Sequence, residues 1–154
     1  MAVEIERKFL LKNDDWRELS TGKTYRQGYL STDKNRTVRV RTAGETGYLT
    51  IKGLSVGASR SEFEYEIPLA DANAMLDNLC VAPLIEKKRY EIISDGLVWE
   101  VDEFEGDNKG LVIAEVELET EDQDFSKPHW VGDQVTGDPR YYNVNLIARP
   151  FTTW

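Results

Sequence analysis

Charged side chains recur at every second position near the start of the sequence, in the segment EIERKFL at residues 4–10. In an extended strand, alternate side chains leave opposite faces, so Glu4, Glu6 and Lys8 would share one face. Carboxylates can hold a divalent cation through oxygen, and a lysine can hold an anion. A single stripe of this kind is also typical of a strand whose outer face is in water. The pattern of charged residues in the other predicted strands distinguishes between these interpretations.

Six further segments carry charged stripes, meaning charged residues at alternate positions of a predicted strand. The basic stripes contain Arg39 and Arg41, Lys52, and Lys87 and Arg89. The acidic stripes contain Glu62, Glu64 and Glu66; Glu100 and Asp102; and Glu115, Glu117 and Glu119. A protein surface in water usually intersperses the two signs. The segregation by strand instead predicts that the stripes face a common interior and a common ligand.

A ligand that balances both signs is an anion that brings its own divalent cations. Charges enclosed without partners would be costly, so an interior lined by them implies a strongly charged ligand. Eight strands are enough to close a barrel whose interior holds side chains or one small ligand. We therefore expect the charges inside the barrel, and the apolar faces outside it beneath helices and long loops.

The elements that must position these stripes are predominantly β-strands. Eight are predicted, at residues 4–10, 23–31, 37–42, 47–53, 61–68, 84–93, 97–106 and 109–119. Short helices are predicted at roughly residues 14–19, 70–79 and 139–147, and the polar segment 119–139 is predicted to be rich in loops. Asn13 or Asp14 could cap the first helix. The predicted fold is α+β and mainly antiparallel β: an eight-stranded closed barrel with a few short peripheral helices, forming one domain over residues 1–154.

Composition restricts the partners and the kind of metal site. The net charge of −9 over 154 residues argues against nucleic-acid binding. No apolar segment is long enough for a membrane span or resembles a signal peptide, so we expect a cytoplasmic protein with no membrane partner. Cys80 and His129 are the only residues of their types, so any metal must be held by oxygen. The oligomeric state is left open, with a homodimer as one possibility.

The ordered set of stripes resembles the CYTH family of triphosphate tunnel metalloenzymes. The resemblance begins with Glu4-x-Glu6-x-Lys8 and extends over the whole chain. QGYL at residues 27–30 and PHWVGDQVTGDPRYYN at residues 128–143 also resemble the shorter bacterial members. The resemblance implies an eight-stranded antiparallel tunnel that binds a triphosphate together with Mg²⁺ or Mn²⁺ and hydrolyses it.

The resemblance and the chemistry of the side chains together imply roles for the striped residues. The expected metal ligands are Glu4, Glu6, Glu64, Asp102, Glu115 and Glu117. The expected phosphate contacts are Lys8, Arg39, Arg41, Lys52, Lys87 and Arg89, with the arginines acting as bidentate forks. The expected catalytic group is Glu62, Glu64, Asp102, Lys87 and Tyr29, in which the acidic members are candidates for a second, water-activating ion. Tyr29 either donates to phosphate, orients a lysine or is a core residue.

Three functions remain open at this point. The favoured one is an inorganic triphosphatase that converts tripolyphosphate and water to pyrophosphate and phosphate. A nucleoside or thiamine triphosphatase, or a class IV-type adenylate cyclase, would need a pocket for the organic group at one tunnel mouth. A polyphosphate-binding module without activity is disfavoured, because carboxylates hinder anion binding unless they hold metal.

Other conspicuous residues have structural explanations. The four tryptophans are predicted to pack against apolar surfaces rather than to stack a base. His129 is predicted to lie in a loop, and Cys80 to be a small buried apolar residue. Glu66 and Glu119, at strand ends, are predicted to lie on a solvated rim.

Overall fold

The computed structural model describes residues 3–154, in which nine β-strands and two α-helices are found. The strands are β1 (Val3–Leu11), β2 (Lys23–Ser31), β3 (Arg36–Ala43), β4 (Thr46–Gly53), β5 (Ser59–Ile67), β6 (Val81–Ser94), β7 (Leu97–Phe104), β8 (Val112–Glu117) and β9 (Val131–Gln134). The helices are α1 (Leu69–Asn78) and α2 (Asn143–Ala148). Single 3-10 turns cover Asp15–Glu18, Gly106–Asn108, Pro139–Tyr141 and Phe151–Thr153.

Eight of the strands close into an antiparallel barrel in the order β1-β5-β4-β3-β2-β6-β7-β8, which confirms the predicted fold class. β1 completes the ring, because it pairs with β8 along one edge and with β5 along the other. The pairing with β5 consists of Val3 with Ser61, Glu4 with Arg60 and Ile5 with Ser59. Closure of the barrel therefore depends on the beginning of β1.

The ninth strand was not predicted. Residues 119–139 were expected to be loop-rich, but β9 lies within them and pairs with β1 at Phe9 and Leu11. On that edge, β5 covers only the first residues of β1, so the backbone donors and acceptors farther along β1 need another partner. β9 supplies that partner, and this requirement is visible only when the strands are assembled.

The helices lie where they were predicted, but their lengths differ from the prediction. The first is only a 3-10 turn: its N-cap residue is Asp14, which makes no capping hydrogen bond, whereas the Asn13 side chain accepts a hydrogen bond from the Asp15 N–H at 3.0 Å. α1 buries Ala72 and Leu76, whereas Leu79, predicted to share that face, lies past the helix end and is 67% exposed. The third is divided into a 3-10 turn and α2. No helix among residues 3–154 has the length and apolar character needed to cross a membrane.

Apolar side chains cover the outside of the barrel on two sides. The larger outer cluster includes Phe9, Trp16, Trp99 and Trp130 and packs against Phe125 in the loop before β9. A smaller one forms where α1 packs on β3 and β4 and half-covers Cys80. Three of the four tryptophans thus pack as predicted, and the fourth, at the C-terminus, is half-exposed.

A third apolar cluster fills one end of the barrel from within. Ile85, Phe104 and Ile113 continue the inward faces of β6, β7 and β8, and α2 packs Leu146 and Ile147 against them. Inside the barrel the apolar residues therefore form a closed end, and the charged stripes line the interior that remains.

Candidate active site

The charged stripes surround a cavity of about 220 Å³ inside the barrel. Its acidic lining consists of Glu4, Glu6, Glu62, Glu64, Glu100, Glu115 and Glu117. Its basic lining consists of Lys8, Arg39, Arg41, Lys52, Arg60, Lys87 and Arg89. All six predicted phosphate contacts and five of the six predicted metal ligands are in these two sets. The stripes face inward, and the interpretation that they form a solvated outer face is wrong.

Two stripes meet where β1 and β8 pair. Glu6 lies directly opposite Glu117, and Lys8 lies directly opposite Glu115 with its ammonium 3.2 Å from the carboxylate. Opposed carboxylates repel each other unless a proton or a cation lies between them. This part of the lining therefore holds three carboxylates and one ammonium.

The titration of Glu6 reflects this crowding. Burial and the negative charge of Glu115 raise the pKa of Glu6 to about 8. Burial also disfavours the charged form of Glu115, but Lys8, Arg89 and Lys87 together outweigh it and lower the pKa of Glu115. In the absence of another cation, Glu6 and Glu115 therefore keep one proton between them at neutral pH.

A second group of carboxylates is held by Lys52. Its ammonium lies 2.8 Å from Glu4 and 3.2 Å from Glu62. Burial and a hydrogen bond with Glu4 raise the pKa of Glu62. Burial also acts to raise the pKa of Glu4, but Lys52 and the hydrogen bond with Glu62 together outweigh it and lower that pKa. One lysine thus shares its charge between two carboxylates, so this side of the cavity is also acidic.

Glu64 lies beside the arginines of β3. A terminal nitrogen of Arg41 donates to it at 3.1 Å, the Thr50 hydroxyl donates at 2.8 Å, and Arg39 lies 3.6 Å away. These contacts direct both guanidinium groups into the cavity, where each can form bidentate hydrogen bonds with an anion.

Asp102 differs from the other predicted metal ligands because it is buried and does not line the cavity. The Arg89 guanidinium donates to both of its oxygens, and the Lys87 ammonium lies 2.7 Å from Oδ2. These positive charges outweigh burial and lower the pKa of Asp102. Glu100, two positions earlier in β7, lines the cavity instead. The structure therefore places Asp102 behind two basic residues rather than among the oxygens that face a ligand.

Lys87 and Tyr29, both predicted to be catalytic, line the cavity at its closed end. Burial lowers the pKa of Lys87 to about 8, although Asp102 acts in the opposite direction. Tyr29 also belongs to the apolar cluster that fills this end. Both interpretations of Tyr29, as a tunnel residue and as a core residue, thus describe the same position.

The lining contains several residues that the sequence pattern did not predict, among them Arg60 and Asn143. Arg60 continues the inward face of Glu62 and Glu64, but the predicted strand began one residue after it. Asn143 comes from the start of α2, outside every strand, so alternation could not reveal it. By contrast, His129 lies in an exposed loop beside Asp15, as predicted for a loop residue, and is not part of the lining.

The donor set fits a hard divalent cation. The charged lining offers only oxygen to a metal, which is the preference of Mg²⁺ and Mn²⁺. Within residues 3–154, no three acidic, histidine or cysteine side chains are grouped tightly enough to hold an ion by themselves. Mg²⁺ usually keeps several waters and binds through one or two carboxylates plus substrate phosphate, so a complete protein cage is not required.

A closed antiparallel barrel with carboxylates and bases facing one interior defines a tunnel for a multiply charged anion. Residues 2–151 match the CYTH domain, and the chain belongs to the CYTH family. An inorganic triphosphatase of Acetivibrio thermocellus is 54% identical over 151 residues, which cover 98% of this chain and 97% of that protein. An inorganic triphosphatase of Nitrosomonas europaea is 38% identical over 148 residues, covering 94% and 96%. The crystal structure of an inorganic triphosphatase superposes with a TM-score of 0.67 at 32% identity, over 96% of this chain and 95% of that one.

Proposed function

We propose that this protein is an inorganic triphosphatase that hydrolyses tripolyphosphate to pyrophosphate and phosphate with the help of Mg²⁺ or Mn²⁺. The observation that carries the proposal is that one small interior cavity is lined by seven basic side chains from five strands together with seven carboxylates. The activity of the two relatives, identical to this chain in 54% and 38% of aligned positions, supports the same conclusion.

The basic residues bind the substrate. Arg39, Arg41 and Arg89 present planar forks that suit phosphate oxygens, and the lysines act as point charges. Because the strands hold these groups on several sides of one cavity, they can contact consecutive phosphates of an extended chain. Their number exceeds what a single phosphate needs, which favours a triphosphate.

The acidic residues hold the divalent cations. Glu4, Glu6, Glu115 and Glu117 would hold an ion that meets the phosphate chain, and Glu62 and Glu64 would contribute to a second one. Bound divalent cations neutralise phosphate charge and lower the pKa of coordinated water. We assign Asp102 to positioning Arg89 and Lys87 instead, since its oxygens are already occupied by them.

The reaction requires water to attack the terminal phosphorus in line with the bond that breaks, and pyrophosphate to leave with the bridging oxygen. Lys87, whose pKa burial lowers to about 8, is the group that we assign to proton transfer at the attacking water. In its protonated form the same nitrogen binds a phosphate oxygen. Tyr29 lies at the same end of the cavity and is proposed to donate its hydroxyl to phosphate or to Lys87.

Cavity size favours an inorganic substrate over a nucleotide or thiamine triphosphate. Pockets that enclose organic ligands typically have volumes of roughly 300 to 1,000 Å³. The tunnel cavity, at about 220 Å³, has room for phosphate groups and ions, so an organic group would have to lie outside it. The cytoplasmic location and the homodimer stay predictions from the sequence.

The decisive experiment is phosphate release from tripolyphosphate, ATP, thiamine triphosphate and pyrophosphate, each with Mg²⁺, with Mn²⁺ and with a chelator. We expect tripolyphosphate to be the best substrate and the chelator to abolish its hydrolysis reversibly. Preference for an organic triphosphate would replace the proposal by one of the related activities, and cyclic AMP from ATP would identify a cyclase. Tight tripolyphosphate binding without turnover under any condition would identify a binding module.

A further inference from the structure

Gln27 and Asn143 meet at the closed end of the cavity, although they are 116 positions apart. The Gln27 Nε2 donates a hydrogen bond to the Asn143 Oδ1 at 2.9 Å. Gln27 belongs to the QGYL segment and Asn143 ends the segment PHWVGDQVTGDPRYYN. The phosphate and metal contacts assigned above use neither residue. The tertiary structure joins the two segments in one contact.

The same Asn143 oxygen accepts a second hydrogen bond, from the Lys87 Nζ at 3.0 Å. A lysine ammonium only donates, so the oxygen of Asn143 and not its nitrogen must face Lys87. Gln27 must then present its own nitrogen to that oxygen. The orientations of all three side chains are therefore determined by these two hydrogen bonds. Gln27 holds Asn143, and Asn143 holds Lys87.

This arrangement determines where the Lys87 nitrogen points. The nitrogen donates to the Asn143 oxygen and lies 2.7 Å from the Asp102 Oδ2. An ammonium has three N–H groups, so one remains for a ligand in the cavity, which Lys87 lines. Loss of the contact with Asn143 would leave the nitrogen free to turn.

Packing alone does not explain a glutamine at position 27. Gln27 is fully buried, and no partner for its Oε1 lies within hydrogen-bonding distance among residues 3–154. Its neighbours across the two strand pairs are Ile85 in β6 and Arg41 in β3. A buried polar atom without a partner costs stability, so an apolar side chain would suit this place better.

We propose that Gln27 and Asn143 are positioning residues that together hold the Lys87 nitrogen toward the phosphate chain. This inference rests on the proposed function, because that function assigns Lys87 to the triphosphate. It predicts an unusual pair of effects for Gln27: replacement by an apolar residue of similar length leaves the protein at least as stable, but less active.

The test compares Gln27→Met, Asn143→Ala and the double variant with the wild type, using melting temperature and kcat/KM for tripolyphosphate. For Gln27→Met, we expect a melting temperature that is unchanged or higher by about 2 to 4 °C, and a kcat/KM lower by roughly 10-fold. Asn143→Ala should lower kcat/KM by roughly 10- to 100-fold, since displacements of about 1 Å have effects of that size. The double variant should lose no more than Asn143→Ala, because Gln27 acts through Asn143.

Ile85→Val is the matched control, since it changes the residue opposite Gln27 without touching the hydrogen bonds. It should show the reverse pattern, a lower melting temperature with kcat/KM within about twofold of the wild type. If Gln27→Met is less stable and fully active, Gln27 serves packing and the inference is overturned. Additive losses in the double variant would also overturn it.

The wild-type assay separates this inference from the proposed function. A wild type that does not hydrolyse tripolyphosphate overturns the function by itself. Calorimetric titration of that protein with tripolyphosphate in the presence of Mg²⁺ then tests the positioning of Lys87, which requires Asn143→Ala to bind roughly fivefold or more weakly than the wild type. Equal affinities overturn the inference, and absence of wild-type binding overturns both.

Discussion

Arg89 binds Asp102 through two hydrogen bonds, from Nε to Oδ1 at 2.7 Å and from a terminal nitrogen to Oδ2 at 2.9 Å. Both side chains are buried, and the Lys87 ammonium adds a contact with the same carboxylate at 2.7 Å. One hidden acidic residue therefore holds two of the bases that line the cavity. Asp102 therefore affects activity only by holding Arg89 and Lys87 in position.

Asp102→Ala should lower the free energy of unfolding by about 3 to 5 kcal/mol, because it leaves Lys87 buried without a carboxylate partner and Arg89 with Glu100 alone. Urea unfolding measured by circular dichroism gives this value. Asp14→Ala is the control, since Asp14 forms an exposed ion pair with Arg17 and its loss should cost less than about 1 kcal/mol. Equal losses for the two variants would show that Asp102 is not a buried anchor.

Glu6→Gln and Glu117→Gln should each lower kcat/KM for tripolyphosphate by about 100-fold or more, because each removes a charged oxygen donor from the proposed metal site. Melting temperatures should stay close to that of the wild type or rise, since opposed carboxylates repel each other. Phosphate release measured across Mg²⁺ concentrations checks the first effect. Glu119→Gln, at the exposed end of the same stripe, is the matched control, and a comparable loss of activity there would refute the assignment of the metal site.

The stability of the metal-free protein should fall as the pH rises from about 5.5 to 7.5. The pKa of Glu6 is about 8 in the folded protein, against 4.5 as its ordinary value, so between these values the folded chain holds a proton that the unfolded chain has released. Raised pKa values of Glu62, Glu100 and Glu117 act in the same direction. Melting temperatures at several pH values measure the effect, and Glu6→Gln should make the profile flatter.

Divalent cations should oppose this loss of stability, because a metal replaces the proton that the carboxylates share. We expect Mg²⁺ to raise the melting temperature more at pH 7.5 than at pH 5.5, with release of protons on binding. Calorimetry in two buffers of different ionisation enthalpy counts these protons. A pH-independent response to Mg²⁺ would contradict binding at Glu6.

Tripolyphosphate should be turned over faster than ATP, and ATP faster than pyrophosphate. Pyrophosphate makes fewer charge-assisted contacts than tripolyphosphate, and each lost contact costs on the order of 1.5 to 3 kcal/mol. The reaction rate falls further when these contacts tighten in the transition state. A nucleoside adds bulk without adding phosphate contacts. Comparison of kcat/KM values for the three substrates checks the order, and equal values for ATP and tripolyphosphate would argue for a nucleotide-directed enzyme.

The inward-facing set of charges could be predicted from the sequence because the two-residue period of a strand is a local property of the backbone. Once the signs segregated by strand, from Glu4 and Glu6 to Glu115 and Glu117, a closed interior was the arrangement in which they could share a ligand. Eight antiparallel strands in a closed barrel were therefore predictable. The ninth strand was not, because it depends on which edge of β1 its neighbours leave uncovered.

Alternation determines the face of a strand on which a side chain lies, but not its depth or its partners. Glu100 and Asp102 share a face, yet only the register between β6 and β7 places Asp102 opposite Arg89 and hides it behind the lining. The contact between Gln27 and Asn143 likewise depends on how α2 enters the barrel. The local sequence thus determined which charged side chains face the interior. Packing between distant segments determined which residues orient those side chains.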